Sequence, residues 1–298
     1  MFTLKAPAKI NWSLFVLNER VDGYHNILSL MHCIGLYDRL TFDHSESIEV
    51  ITDDDIQTEE NLVFKAAVML KKHAGANKGA RIVLQKDIPM QAGLGGGSSD
   101  AACTLKGLNR LWDLRLDTAQ LQRLGSELGS DVPFFFHCPL ALVEGKGEHL
   151  TPLNIGVPYT LLLIKPPFSI STAWAYRKLM SQRADGGVTH EGMELTKMTD
   201  KIDNINLICR MLKAGDVSSL KLVIQNDFES ITKETYPLIG RLKGELLEAG
   251  AHLSLMTGSG SAVFGLFSNK GKAMEAATHF SDYWNRVVDT LDTVSHVP

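Results

Sequence analysis

Between Pro89 and Ala102 the chain reads Pro-Met-Gln-Ala-Gly-Leu-Gly-Gly-Gly-Ser-Ser-Asp-Ala-Ala, with four glycines in the five positions 93–97. So dense a run is poor helix and poor strand, because glycine gives up the most backbone freedom on ordering. It suits a backbone that must turn tightly and come close to something. Behind it Ala101, Ala102, Leu105, Leu108 and Leu111 recur at helical spacing, so the loop opens a helix. Unpaired N–H groups and the positive end of the helix dipole would converge there, an arrangement that binds phosphate. Ser98 and Ser99 add hydroxyls, either as donors to phosphate or as oxygens for a metal. A P-loop is excluded because Gly97 directly precedes Ser98 with no lysine between, and the dinucleotide fingerprint because position 98 is not glycine. The alternative is a ligand-free capping loop, which needs one glycine rather than four.

Four further clusters each allow two readings. Lys9 and Asn11, in Lys5-Ala6-Pro7-Ala8-Lys9-Ile10-Asn11, share a face if residues 9–17 form a strand. An inward lysine there would hold a phosphate or favour the ionised form of a neighbouring group; an outward one is a solvated edge lysine. Asp131, between Gly129-Ser130 and the apolar run Val132 to Phe136, sits where a carboxylate could be a general base. Equally, it could close its own turn. Asp22-Gly23-Tyr24-His25 reads as a turn carrying two rings, for a ligand or merely a hairpin surface. Thr257-Gly258-Ser259-Gly260-Ser261 is a second small-residue loop, for close approach to a ligand or for joining two strands. The ten histidines never fall as H-x-x-x-H, His137 and Cys138 are adjacent and point apart on a strand, and no G-x-S-x-G elbow occurs.

Strands and helices in two clusters must position these residues. Residues 9–17 alternate as a strand, Val21-Asp22-Gly23 turns, and Ile27 to Leu36 is an apolar run. Asn61 opens a helix through Leu62, Ala66, Ala67 and Leu70 that stops at Gly75-Ala76-Asn77, followed by a strand at 80–85. A helix runs from Asp117 to Leu128. Pro-Leu-Asn-Ile-Gly-Val-Pro at 152–158 marks a boundary, dividing the chain into 1–156 and 157–298. Beyond it come a buried strand from Tyr159 to Ile164, stopped by Pro166-Pro167, and a polar exposed loop at 183–200 holding Gly186-Gly187. Helical patterns follow at 203–213, 216–224 and 236–249. Strands at 251–256 and 262–267, a helix near 270–281 and a strand near 286–290 close the chain. This pattern favours α+β over a regular βαβ array.

With 298 residues, 44% of them hydrophobic and 21% charged, the chain is globular and long enough for about two domains. A net charge of −4 carries no field for a long polyanion, which argues against nucleic acid. Cys33, Cys103, Cys138 and Cys209 make no C-x-x-C and no disulfide framework, which fits a reducing compartment. The run Ile10 to Leu17 is broken by Asn11 and Ser13 and lacks a signal-peptide cleavage site. No stretch is apolar enough to span a membrane, so a cytoplasmic protein is expected.

Taken together these segments resemble the GHMP kinase family, through an N-terminal lysine strand, the central Pro-x-x-x-Gly-Leu-Gly-Gly-Gly-Ser-Ser loop and the C-terminal glycine turn. The resemblance covers nearly the whole chain. The Gly23-Tyr24-His25 turn and the Ser130-Asp131-Val132-Pro133 segment match members acting on a cytidine diphosphate conjugate. It implies two α+β lobes, a nucleotide-binding N-terminal lobe and a ferredoxin-like C-terminal one, with ATP and substrate between them. It further implies phosphorylation of the 2-hydroxyl of the conjugate's methylerythritol portion. Asp131 would be the general base and Lys9 would stabilise charge on the phosphoryl group. Pro89, Met90, Gln91, Ala92, Gly93, Leu94, Gly95, Gly96, Gly97, Ser98 and Ser99 would wrap the ATP phosphates, with Asn61 and Lys86 bordering the adenine. The cytosine would stack between Tyr24 and Tyr176, His25 would bond its edge, and Asn11 would help position the substrate. Mg²⁺ would be held mainly by ATP oxygens and water, without a metal site on the protein. A monomer or weak homodimer is expected. A family member acting on homoserine, mevalonate or a sugar, and a regulator that binds nucleotide without catalysis, are the competing readings.

Overall fold

The computed structural model describes residues 1–52, 60–75, 78–136, 139–185 and 195–292. The expected strand at 9–17 is the centre of a longer one, β1 (Phe2–Glu19), paired antiparallel with β2 (His25–Ser45) from Phe2↔Phe42 to Glu19↔His25. β3 (Ile48–Thr52), β4 (Gly79–Gln85), β5 (Leu140–Gly145) and β6 (His149–Leu153) complete a first sheet of order β3-β4-β2-β5-β6, with β1 also on β2. Helices α1 (Leu62–Ala74), α2 (Gly96–Leu111) and α3 (Thr118–Leu128) belong to this half.

Local chemistry accounts for the helix ends. The Asn61 side chain accepts from the Val63 N–H at 2.9 Å to start α1, and Gly75 stops it at φ 57°, a left-handed conformation that suits glycine. Asp117 and Gln120 form a reciprocal capping box on α3. The glycine-rich stretch is not all loop: Gly95 caps α2 at φ 73°, and Gly96 and Gly97 are already helical.

The second sheet is antiparallel, built from β7 (Thr160–Lys165), β8 (Leu253–Met256), β9 (Val263–Phe267) and β10 (Trp284–Asp289) in the order β10-β7-β9-β8. Between β7 and β8 lie α4 (Thr172–Asp185), α5 (Leu195–Ala214), α6 (Val217–Leu220), α7 (Glu229–Thr235) and α8 (Pro237–Glu248); α9 (Lys270–Ala277) joins β9 to β10. A strand order of 4-1-3-2 with helices in the two crossovers is the ferredoxin-like arrangement.

Several elements escape local pattern. β3, β5, β6, α4 and α7 were not expected, and the helix expected at 216–224 is the four-residue α6 followed by turns. The loop expected at 183–200 is helical at both ends, in α4 and α5; its residues 186–194, like His137 and Cys138, lie outside the described residues. No described helix is long and apolar enough to cross a membrane.

β1 is buried on both faces from Ala6 to Leu17, so its alternation is blurred. Its register against β2 shifts between Pro7 and Ala8 and again between Asn11 and Ser13. Leu4 and Ala6 pack with the first sheet's helices, while Ala8, Ile10 and Trp12 turn to a core shared with Leu161, Leu163 and Phe264. Leu14 and Val16 then return to the first core. Such bulges re-aim side chains. Here they aim Lys9 and Asn11, on the opposite face of the shifted segment, into the cleft between the sheets' helices and loops.

Candidate active site

Lys9 is fixed by its own backbone, which donates to the Leu94 carbonyl at 2.9 Å and so ties β1 to the glycine-rich loop. Its ammonium donates to Asn11 Oδ1 at 2.8 Å and stands 3.7 Å from Asp131 Oδ2. The lysine side chain is 3% exposed and the aspartate 31%, so one is sealed while the other faces the cleft. Burial lowers the Lys9 pKa, and the Asp131 charge offsets part of that. Asp131 arrives from the end of α3, where Val132 bonds back to Gly129 and a 3-10 turn, Val132–Phe136, buries Phe134 and Phe135.

Asn11 relays this corner to the second glycine turn. Its Oδ1 also accepts from the Gly258 N–H at 3.0 Å, its Nδ2 donates to Ser29 Oγ at 2.8 Å, and its own N–H donates to Thr257 Oγ1 at 3.2 Å. With its side-chain oxygen and nitrogen both engaged, Asn11 is a scaffold for Lys9.

The glycines are needed for protein contacts as well as for a ligand. Gly93 has φ 77°, and a Cβ there would lie 2.1 Å from the Thr257 carbonyl oxygen. A Cβ on Gly95 would meet Lys9 Cγ at 2.9 Å and Phe135 Cζ at 3.0 Å. Gln91 adopts φ 50°, a left-handed conformation that is uncommon outside glycine. Under the loop, Lys86 Nζ bonds Asp38 Oδ2 and, at 2.8 Å, Asp100 Oδ2. Burial works against the Lys86 charge, but Asp100 and Asp38 outweigh it and raise its pKa. Burial pushes the Asp100 carboxyl up to about 7, opposed by Lys86 and aided by Asp38. The Asp100 Oδ1 atom is buried without a hydrogen-bond partner.

Lys9, Asn11, Lys86, Asp100 and Asp131 line one cleft of about 920 Å³, together with Asn61 and residues from Pro89 to Ser98 on one side and Ser171, Thr172, Tyr176, Phe228 and Gly258–Gly260 on the other. Ser99 is buried just behind, its Oγ without a hydrogen-bond partner. Tyr24 and His25 do not line this cleft. Tyr24 is 53% exposed with the Lys146 ammonium 4.8 Å from its ring centre. His25 stacks directly on Tyr176, centroids 5.1 Å apart and planes at 23°, and Phe228 meets Tyr176 edge-on at 4.9 Å. Burial, with the Asp131 charge, raises the Tyr176 phenol pKa. In this arrangement His25 covers the Tyr176 face, so a base between Tyr24 and Tyr176 requires the His25 ring to move.

Sequence reasoning missed the run Asn226-Asp227-Phe228-Glu229, which knits the cleft's far wall. Asn226 Nδ2 donates to the Met256 and Gly258 carbonyls, each at 2.8 Å. Asp227 Oδ2 accepts from the Val16 N–H at 2.9 Å, and Glu229 Oε1 from the Met256 N–H at 2.8 Å. An amide and two carboxylates around one phenylalanine, between helical patterns, was the available signal.

The chain matches the model described as GHMP kinases N terminal domain over residues 61–138 and that described as GHMP kinases C terminal over residues 207–286. A 4-diphosphocytidyl-2-C-methyl-D-erythritol kinase of Thermodesulfovibrio yellowstonii is 50% identical over 292 residues, 98% of each chain. One of Chloroherpeton thalassium is 42% identical over 274 residues, 91% of each. A crystal structure of 4-(cytidine 5'-diphospho)-2C-methyl-D-erythritol kinase superposes with a TM-score of 0.78 at 30% identity, covering 97% of this chain and 99% of the other. A homoserine kinase from Cytophaga hutchinsonii, at 18% identity and a TM-score of 0.72 over 97% and 94% of the two chains, shares the fold.

Proposed function

The chain belongs to the GHMP kinase family, and from that premise we propose that it transfers the γ-phosphoryl group of ATP to the 2-hydroxyl of 4-diphosphocytidyl-2-C-methyl-D-erythritol, releasing ADP, in non-mevalonate isoprenoid precursor synthesis. The observation that carries this reading is the sealed Lys9 ammonium 3.7 Å from the partly exposed Asp131 carboxylate, beside the glycine-rich loop. Full-length relatives carrying that name support the choice of substrate.

Phosphoryl transfer asks a protein mainly for alignment and charge stabilisation. Asp131 accepts the hydroxyl proton as the oxygen attacks phosphorus. Lys9, locked by Asn11, presents a fixed positive charge to the phosphoryl oxygens without reorganising. The loop from Pro89 to Ser99 offers amides at the start of α2 to the ATP phosphates, with Asn61 and Lys86 toward the base. Mg²⁺ would enter with ATP and neutralise phosphate charge. The buried, partnerless Ser99 hydroxyl is a fitting protein oxygen for it. Tyr24 and Tyr176 hold the cytosine once the His25 ring has moved off the Tyr176 face, and His25 then bonds the edge of the base. Residues 1–156 supply the nucleotide loop and the catalytic pair, and 157–298 close the cleft. The compartment in this reading is the cytoplasm, which four scattered cysteines with no C-x-x-C pair fit.

ADP release by the purified protein with Mg-ATP tests the reading, with the cytidine conjugate run beside homoserine, mevalonate and galactose. Turnover with the conjugate alone is expected. Turnover with another alcohol would keep the phosphate loop and Asp131 and discard the cytidine pocket.

A further inference from the structure

We propose that Arg183 is a positioning residue for the cytidine end of the substrate, acting through Tyr176 on the same helix; this rests on the kinase reading above. Tyr176 and Arg183 are seven residues apart on α4, two helical turns, and so share a face. The Arg183 guanidinium donates to Asp227 Oδ2 at 2.8 Å and to the Val16 carbonyl at 2.9 Å. The two side chains are 24% and 7% exposed, so this charge-assisted fork is largely out of water.

Asp227 is itself held. It accepts from the Val16 N–H at 2.9 Å and from Gln225 Nε2 at 2.7 Å, and its N–H donates to the Leu14 carbonyl at 3.0 Å. Its neighbour Phe228 presses edge-on against Tyr176. At the other end of α4, Thr172 Oγ1 and Ser259 Oγ are 2.9 Å apart. The helix bearing Tyr176 is therefore fastened at its start to the glycine turn and at its end to β1. Without the arginine, Asp227 keeps its other partners and stays in place, while the end of α4 loses its tie to β1. Tyr176 then samples positions that no longer meet a base squarely.

Stacking of a base on an aromatic ring is worth roughly 5–150-fold in affinity and is made in ground and transition states alike. A displaced Tyr176 therefore shows in the KM for the cytidine conjugate and leaves the ATP side, built on α2, alone. The expected result for Arg183→Met in the full chain is a roughly tenfold higher KM for the conjugate, an unchanged KM for ATP and partial recovery in Arg183→Lys. In a Tyr176→Ala background Arg183→Met raises that KM no further, because the residue through which it acts is gone. Equal rises in both KM values, or full additivity with Tyr176→Ala, would overturn the proposal. If Arg183→Met fails to fold, Asp227→Asn, which keeps the volume and weakens the fork, carries the same comparison. Should the unmodified protein phosphorylate a different alcohol, the functional reading falls separately. The comparison is then read from calorimetric binding of cytidine 5'-diphosphate, where equal affinity for Arg183→Met and the unmodified protein refutes the role of Arg183.

Discussion

Gly93 and Gly258 meet through bare backbone: a Cβ on Gly258 would stand 2.8 Å from the Gly93 carbonyl oxygen. Two loops 165 residues apart in the chain thus form one wall of the cleft, strengthened by the Ala262 N–H donating to the Ala92 carbonyl at 3.0 Å. Close approach, and not flexibility, is what their glycines provide.

Gly93→Ala forces a side chain into the left-handed region and against the Thr257 carbonyl, so the two loops must part. Gly23 is a fair control, since at φ 78° it has the same strain but nothing within 4 Å of a Cβ. Gly23→Ala should cost about 1 kcal/mol. Gly93→Ala should cost distinctly more in thermal melts and weaken ATP binding as well. Matching melts for the two variants would count against the contact.

Asp131→Ala removes the proposed base while leaving the glycine-rich loop intact. ADP release should fall roughly 10²–10⁴-fold, with the ATP dissociation constant little changed. Undiminished turnover would take Asp131 out of the chemistry.

In the proposed complex Tyr24 is a stacking surface for the cytosine, used in ground and transition states alike; without substrate the Lys146 ammonium stands 4.8 Å from its ring centre. Tyr24→Ala should raise the KM for the cytidine conjugate more than it lowers kcat. Steady-state kinetics giving an ordinary KM would remove Tyr24 from the cytosine site.

One lysine, Lys86, serves two buried carboxylates, Asp38 and Asp100. The Asp100 carboxyl titrates near 7 in the folded chain against 3.8 ordinarily, so the native state holds its proton more tightly than the unfolded state does. Its favourable contribution is complete below the unfolded value and is lost as pH rises through 7. Asp100→Asn retains an acceptor for Lys86 and cannot ionise. Relative to the unmodified protein, its melting temperature should therefore rise more at pH 8 than at pH 5. A pH-independent difference would contradict the assignment.

Much of this molecule is written locally. The Asn61 cap, the Gly75 stop, the Asp117 helix start and the opening of α2 at the glycine run follow from residue chemistry acting over a few positions. So do the motifs themselves, since glycine density and the types of Lys9 and Asp131 are properties of the string. Other features need partners distant in sequence. That Lys9 turns inward depends on two register shifts against β2, which a period-two pattern does not reveal. That Asn11 is a scaffold depends on Gly258, and that α4 holds Tyr176 still depends on Arg183 finding Asp227. Short β5, the largely exposed β6 and the weakly patterned α4 owe their form to neighbouring strands and loops. Local propensity chose the pieces; burial and hydrogen bonding between remote segments decided which side chains meet.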